Sequence, residues 1–218
     1  MKENIIKKII SITIGATVVL FVLIVAIIEA PIFSLQSFKL ISPIVMGLTF
    51  FWIFYFNYGW RWIIIKNIIY KPNLNGTWIG CFQSDYKNEK GEGVPVSDMV
   101  LVIRQNFLQI HITTFTEKYT SYSYGESFFY NDDTRKRRLL YLYARNLMQS
   151  DQEDDRQGAS ELQVFGRPEN ELVGHYWTIK KTNGFIKVRL KTREHYETFE
   201  QAKSIWKKEA DWKLIQDK

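Results

Sequence analysis

Two long apolar stretches precede a run of alternating strand patterns, and this order most constrains the fold. The first stretch covers residues 9–28 and the second about residues 41–58. From residue 76 onward, apolar and polar residues alternate in short segments separated by turn residues, as in half-buried antiparallel strands. We therefore predict a membrane-spanning part, residues 1–71, followed by a cytoplasmic all-β domain, residues 72–218.

The first stretch has the composition of a transmembrane helix. Residues 9–28 contain no charged residue, and twenty residues at about 1.5 Å each cross the roughly 30 Å of a hydrocarbon core. A signal peptide is the alternative, because residues 1–8 are basic. The long apolar core and the lack of a small-residue cleavage site disfavour it.

The second stretch ends among aromatic residues. Tyr58, Trp60 and Trp62 lie at its end, and such residues are enriched at the headgroup level of membranes. Residues 63–70 continue as a mixed apolar and basic segment, which we expect to extend along the interface. The first part of the chain is thus predicted to be a two-helix transmembrane hairpin with a juxtamembrane extension.

Positive charge lies outside the loop that joins the two stretches. The flanking basic residues are Lys2, Lys7, Lys8, Arg61, Lys66 and Lys71. The loop has Lys39 opposed by Glu29. Because cytoplasmic segments carry the excess of Lys and Arg, we predict a multi-pass membrane protein with both termini in the cytoplasm.

The β domain is close to neutral. Residues 1–71 hold seven Lys or Arg and two Asp or Glu, which leaves 22 basic and 21 acidic residues in the rest of the chain. Long nucleic acid is bound through broad basic surfaces. This balance disfavours such a polymer as a partner, whereas a small anion needs only a few local cations.

The residues that usually perform chemistry do not form a recognisable pattern. Cys81 is the single cysteine, so an internal disulfide and a thiolate-rich metal site are excluded, and we expect an inert packing residue. The three histidines lack metal-ligand spacing, and no phosphate loop or nucleophile elbow occurs. We predict no metal, no cofactor and no enzymatic activity.

Alternation and turn residues predict eight strands. They cover residues 76–83, 96–105, 108–117, 120–130, 138–146, 159–165, 171–181 and 184–193. Asn183-Gly184 marks a tight hairpin, and the acidic residues 150–158 read as a long hairpin loop. Short links between sequential antiparallel strands favour an eight-stranded up-and-down β-barrel, with a two-sheet sandwich as the alternative.

Several residues are expected to build the barrel framework. These are Gly76, Trp78, Gly80 and Gly174. Trp78 is expected in the core. Thr198 followed by Gln201 makes a capping box, which predicts a C-terminal helix that plugs or flanks the barrel.

The chain resembles the SMODS-associated, two-transmembrane, β-strand-rich effectors of bacterial cyclic-oligonucleotide-based anti-phage signalling systems (CBASS). The paired apolar spans carry this resemblance with residues 74–80, Leu-Asn-Gly-Thr-Trp-Ile-Gly, and residues 172–178, Leu-Val-Gly-His-Tyr-Trp-Thr. It implies a cytoplasmic barrel that binds a cyclic di- or oligonucleotide made by an associated nucleotidyltransferase. It also implies self-association of the spans among inner-membrane lipids, membrane disruption and cell death.

Such a ligand needs cations or N–H donors for phosphates and aromatic platforms for bases. Alternation places Tyr122 and Tyr124 on the face of Phe128 in the fourth strand, and Tyr176 with Thr178 in the seventh. The candidate ligand-binding residues are Tyr122, Tyr124, Thr114, Arg145, Tyr176, Thr178 and Arg189. For each tyrosine, the alternative is a core position whose hydroxyl reaches the rim.

Two other functions remain open on the sequence alone. A membrane-tethered, lipocalin-like barrel would hold a lipid or another apolar ligand in an apolar lumen. A structural or assembly protein would have a filled barrel without a ligand.

Overall fold

A computed structural model describes residues 2–29, 31, 34–62, 71–87, 91–131, 134, 136–145 and 157–205. The chain divides into two compact units, residues 1–71 and 72–218. The predicted juxtamembrane extension and most of the predicted 150–158 loop lie outside the described residues.

The N-terminal unit is helical. Helix α1 covers Lys2–Ile27, α2 covers Leu35–Phe38 and α3 covers Ile41–Asn57. Among the residues that the structure describes, one helix segment, Ile6–Ile27, is long and apolar enough to cross a membrane. Helix α3 is also apolar, but its 17 residues span about 26 Å at the usual rise, slightly less than a hydrocarbon core.

The second unit is a closed antiparallel barrel in the order of the sequence. Its strands are β1 Gly76–Ser84, β2 Ser97–Gln105, β3 Ile110–Thr116, β4 Thr120–Tyr130, β5 Arg137–Arg145, β6 Gln157–Phe165, β7 Glu171–Thr178 and β8 Asn183–Thr192. Pairing of β1 with β8 over eight residues completes the ring. The predicted barrel is confirmed, and the sandwich alternative is wrong.

One end of the barrel is filled by its own side chains. We call it the closed end; there β1 begins and β8 ends, and the β2–β3, β4–β5 and β6–β7 connections lie there too. Trp78, Ile103, Leu139 and Leu172 point inward near this end and are fully buried. The opposite end, which we call the open end, holds the β1–β2, β3–β4, β5–β6 and β7–β8 connections.

An ion pair adds to the closed end. The guanidinium of Arg137 donates to Glu169 Oε1 and to the carbonyl of Gly166, each at 2.6 Å. Both charged side chains are at most 8% exposed. Because a buried charge is costly without a partner, this pair keeps the β6–β7 turn against the start of β5.

The expected framework residues hold the strands close together. Trp78 lies in the core, as predicted, and its Nε1–H donates to the carbonyl of Leu74 at 2.9 Å. A Cβ at Gly80 would collide with the carbonyl of Lys187, and one at Gly174 with the carbonyl of Glu161. Glycine at these positions lets neighbouring strands approach where the sheet curves.

A β-bulge in β4 changes the predicted direction of two tyrosines. The β4–β5 register shifts between Ser123 and Gly125. Tyr122 therefore pairs with the outward Ala144, whereas Phe128 points into the core. The predicted common face of Tyr122, Tyr124 and Phe128 is wrong, because a bulge breaks strict alternation.

The pairing of the bulged strand β4 with β3 is short. Strands β3 and β4 pair over residues 113–115 and 120–122, whereas every other neighbouring pair runs over seven or more residues. Beyond this short ladder, the N–H of Ile112 donates to Ser123 Oγ at 2.8 Å. A side chain thus replaces a backbone partner.

A short C-terminal helix, α4, covers Phe199–Ser204. Thr198 caps it, since its side chain accepts a hydrogen bond from the N–H of Gln201 at 3.2 Å. Phe199 and Ala202 pack against Val100 and other outward residues of β1–β3. The helix therefore flanks the barrel rather than plugging it; residues 206–218 lie outside the described residues.

Cys81 is buried on strand β1. Burial, with the carboxylate of Asp98 nearby, raises the pKa of its thiol. The reactive form of cysteine is the thiolate. A raised pKa fits a packing role for this residue.

The close approach at Gly80 gives a stability prediction. We expect Gly80→Ala to lower the free energy of unfolding by about 3 kcal/mol, because the added methyl group would force β8 away from β1. Gly93→Ala is the matched control, since a Cβ there has no atom within 4 Å. Chemical denaturation followed by tryptophan fluorescence measures both, and equal stability of the two variants would contradict the packing argument.

Candidate ligand-binding site

The inner wall of the barrel changes from apolar to hydroxyl-bearing towards the open end. Thr114 pairs with the inward Leu101 and with Ser121, so both hydroxyls face inward. The inward hydroxyl-bearing residues near this end are Ser84, Ser97, Thr114, Thr116, Ser121, Tyr143, Ser160, Tyr176 and Thr178. We call this region the mouth.

Three tyrosines form the lower part of the mouth. Tyr141 is 3% and Tyr176 is 9% exposed, and Tyr143 is half-buried. The rings of Tyr141 and Tyr143 lie 5.9 Å apart, and the ring of Tyr176 lies 6.1 Å from that of Phe82. Their rings separate the polar mouth from the apolar core.

Burial raises the pKa of all three tyrosines, Tyr141, Tyr143 and Tyr176. For Tyr141, the nearby hydroxyls of Ser160 and Thr114 oppose this effect in part. The phenols are therefore neutral at physiological pH. A neutral phenol both donates and accepts hydrogen bonds, which suits phosphate oxygens as well as the edges of bases.

Ser160 adds a hydroxyl with spare capacity. Its Oγ is fully buried and has no partner of ordinary hydrogen-bond geometry among the described residues, although the Tyr141 hydroxyl is close enough to interact with it. A buried polar group of this kind favours a further partner.

Two glycines leave space for tyrosine side chains. A Cβ on Gly158 would lie 2.5 Å from the hydroxyl oxygen of Tyr143, and one on Gly184 would collide with the ring of Tyr176. Each glycine pairs with its tyrosine across the strands. These contacts fix where the two phenols lie.

Arg145 provides a cation at the rim of the mouth. It pairs with Ser121 and shares the inward direction of Tyr143. Its guanidinium carbon lies 3.5 Å from the centroid of the Tyr119 ring, a cation–π contact that orients the planar group. Among the described strand residues that point into the mouth, Arg145 carries the positive charge.

Thr178 belongs to the turn between β7 and β8. Its N–H donates to the carbonyl of Thr182 at 3.0 Å, and the two threonine hydroxyls lie 2.7 Å apart. Lys181 has a φ of 60° in this turn. The turn places the Thr178 hydroxyl beside the mouth.

The structure brings four of the seven candidate residues together. Thr114, Arg145, Tyr176 and Thr178 line the mouth. The other three lie outside the barrel: Tyr122 and Tyr124 are 42% and 60% exposed, and Arg189 donates to Glu171 Oε1 at 3.1 Å.

Sequence reasoning left Tyr141, Tyr143 and Ser160 out of its candidate residues. The signal in strand β5 was present, because Tyr141, Tyr143 and Arg145 follow one another at every second position. Period-two spacing puts such residues on one face. Ser160 had no comparable signal, since its position depends on the pairing of β5 with β6.

Comparison with known proteins places this barrel among receptors. The model of the family "Cap15, cyclic dinucleotide receptor domain" matches residues 69–191, which include β1–β7 and nearly all of β8. A curated relative from Staphylococcus schleiferi, CD-NTase-associated protein 15, is 26% identical over 186 residues. The alignment covers 84% of this chain and 96% of that relative.

The raised pKa values predict a loss of stability in alkali. The unfolded tyrosines ionise around the ordinary pKa of 10.0, whereas the buried phenols stay protonated to higher pH. Stability is therefore fully present below pH 10 and falls above it, by on the order of 1 kcal/mol per pH unit for each such tyrosine. Tyr143→Phe should reduce this slope, and the exposed Tyr122→Phe should keep it.

The measurement is chemical denaturation of the full chain in detergent between pH 8 and pH 11. Equal slopes for wild type and Tyr143→Phe would show that Tyr143 ionises alike in both states.

Proposed function

Because the chain belongs to the Cap15 cyclic dinucleotide receptor family, a family of CBASS effectors, we propose that its mouth binds a cyclic di- or oligonucleotide messenger. The observation that carries this proposal is the family match over the barrel that contains the mouth. The family is one of receptors and effectors, and we propose that this chain senses its ligand without catalysis.

The chemistry of the mouth supports this ligand class. A phosphodiester needs a cation and hydrogen-bond donors, which Arg145, Thr114 and Thr178 supply. Bases need flat aromatic partners, each worth about 1–3 kcal/mol, and the rings of Tyr143 and Tyr176 provide them. Ser160 and Tyr141 add hydroxyls at the lower end of the site.

The three candidate residues that lie outside the barrel are not part of the proposed binding site. Arg189 is neutralised by Glu171, which also lies 3.7 Å from Lys187. Tyr122 points away from the mouth, and Tyr124 lies in the β-bulge and is 60% exposed. We propose no ligand contact for these three candidate residues.

The interior favours a nucleotide over the apolar ligand of the lipocalin-like alternative. Its lower half is filled by fully buried side chains such as Trp78, Leu101 and Leu162. Its upper half carries many hydroxyls alongside the inward Phe82 and Met99. A lipid chain would have to displace the core or leave these hydroxyls without partners.

For the output, we propose that ligand binding promotes self-association of α1 and α3 and disrupts the bacterial inner membrane, leading to cell death. The apolar segment Ile6–Ile27, the apolar α3 and the flanking lysines support a multi-pass protein with both termini in the cytoplasm. The messenger would come from a partner nucleotidyltransferase. Binding shifts the protein to the assembled form only if that form binds the messenger more tightly.

The binding site is tested with substitutions inside and outside the barrel. We expect Arg145→Ala to raise the Kd for the messenger at least about tenfold, because it removes a charge-assisted hydrogen bond worth about 1.5–3 kcal/mol. Arg189→Ala is the matched control and should leave the Kd unchanged. Calorimetry of the full chain in detergent against a panel of cyclic di- and trinucleotides measures both.

Two results would contradict the proposed site. If no panel member binds the wild-type protein, the proposal that a cyclic nucleotide is the ligand is wrong. An equal loss of affinity in the two arginine variants would contradict the location of the binding site at the mouth.

The output is tested in proteoliposomes that contain the full chain and a self-quenched dye. We expect the binding panel member to increase both dye release and the fraction of chemically crosslinked oligomers. An oligomer distribution that stays the same with and without that nucleotide would contradict ligand-driven assembly.

A further inference from the structure

The segment that leads into the barrel, residues 72–75, is held by one buried glutamine. Both polar atoms of the glutamine side-chain amide bond to the backbone of this segment. Nε2–H of Gln105 donates to the carbonyl of Pro72 at 2.9 Å, and its Oε1 accepts from the N–H of Leu74 at 2.7 Å. Gln105 is 5% exposed, and Leu74 is fully buried. The glutamine side chain thus acts as a bracket on this lead-in segment.

The backbone of the same glutamine completes a second pair of bonds. Its N–H donates to Asn75 Oδ1 at 2.8 Å, and its carbonyl accepts from Asn75 Nδ2–H at 2.7 Å. Asn75 is 5% exposed. Four hydrogen bonds between Gln105 and residues 72–75 hold the segment against the end of β2.

Two further side chains bind the carbonyls of the lead-in segment. Trp78 Nε1–H donates to Leu74 at 2.9 Å, and Arg193 Nη1–H donates to Asn73 and Asn75 at 3.0 and 2.7 Å. We call Gln105, Trp78 and Arg193 the clamp. Simple covalent tethering would not require so many buried bonds to four residues.

The clamp is in contact with the packed interior of the barrel. Leu74 and Trp78 belong to the same buried cluster as Tyr141 and Tyr176 at the lower part of the mouth. Close-packed interiors have low compressibility and pass on displacements. A ligand that repositions the tyrosines therefore acts on a continuous core that ends at Leu74.

We propose that the clamp, with Gln105 as its central positioning residue, converts ligand binding into a displacement of the chain where the barrel begins. This inference rests on the proposed function. Residue 71 is the last of the N-terminal unit, so residues 72–75 are the covalent route from the barrel to it. A lead-in segment bound to the wall moves with the wall, whereas a loose one absorbs the movement.

The test separates ligand binding from membrane output in the full chain. Gln105→Ala removes both side-chain bonds to the lead-in segment. Gln109→Ala is the matched control, because Gln109 lies in the adjoining β2–β3 connection and is exposed. A second variant inserts Gly-Gly-Ser between residues 71 and 72, which lengthens the route without altering a barrel residue.

Each protein is reconstituted in dye-loaded proteoliposomes and given the cyclic nucleotide that binds wild type most tightly. For Gln105→Ala and for the insertion, we expect a Kd within about threefold of wild type and a rate of ligand-triggered dye release reduced at least about tenfold. Gln109→Ala should match wild type in both measurements. A merely structural role of Gln105 would instead weaken binding and release together, and would leave the insertion variant fully active.

Wild-type release rates in Gln105→Ala and in the insertion variant, with normal binding, would overturn the coupling while leaving the proposed function intact. Loss of binding together with release in Gln105→Ala, alongside a fully active insertion variant, would also overturn it. If wild-type protein neither binds nor responds to any cyclic nucleotide, the proposed function fails and the coupling falls with it.

Discussion

Pairing of β1 with β8 is the contact on which the rest of the barrel depends. It turns a row of hairpins into a ring, so that no strand edge is left at this position to pair with another chain. It also gives every strand residue an inner or an outer direction. Glycine is needed at Gly80 because the carbonyl of Lys187 comes too close for any side chain.

Closure alone does not make a binding site, because a small barrel fills its own interior. The two ends of this barrel differ in how completely side chains fill the interior. Near the closed end, large apolar side chains and the Arg137–Glu169 pair occupy the space. Near the open end, hydroxyls and glycines lie among fewer bulky apolar residues, such as Phe82 and Met99, so the inner wall offers hydrogen bonds.

Much of this arrangement could be predicted from the sequence, because strand alternation and turn chemistry are local signals. The last hairpin was predicted at Asn183-Gly184, but both residues lie in β8, and the turn is made by residues 179–182 with the positive φ at Lys181. The alternation rule failed in β4, where the extra residue Tyr124 has no partner on β5 and Tyr122 before it points outward. A β-bulge arises from the way a strand pairs with its neighbour. The local sequence pattern of β4 does not indicate that pairing.

Other features required tertiary contacts that lie far apart in the chain. Gln105 reads as the polar end of a strand, and its bonds to Pro72 and Leu74 form only when β2 pairs with β1. Likewise, the capping box predicted a helix at Thr198 but not whether the helix packs inside or outside the barrel. The outward apolar residues Ile79, Val100 and Val102 decide that α4 packs outside.

The proposed ligand-driven assembly requires ligand contacts that differ between a resting form and an assembled form. Moving a two-state equilibrium from about 1:99 to 99:1 takes roughly 5.5 kcal/mol of differential binding. Two stacked bases at about 1–3 kcal/mol each, with one charge-assisted bond of about 1.5–3 kcal/mol, can supply this amount only if most of it is gained in one form. Tyr141 and Tyr176 share a buried cluster with Leu74 and Trp78, so a ligand bound at the proposed site would act on the same side chains as the proposed clamp.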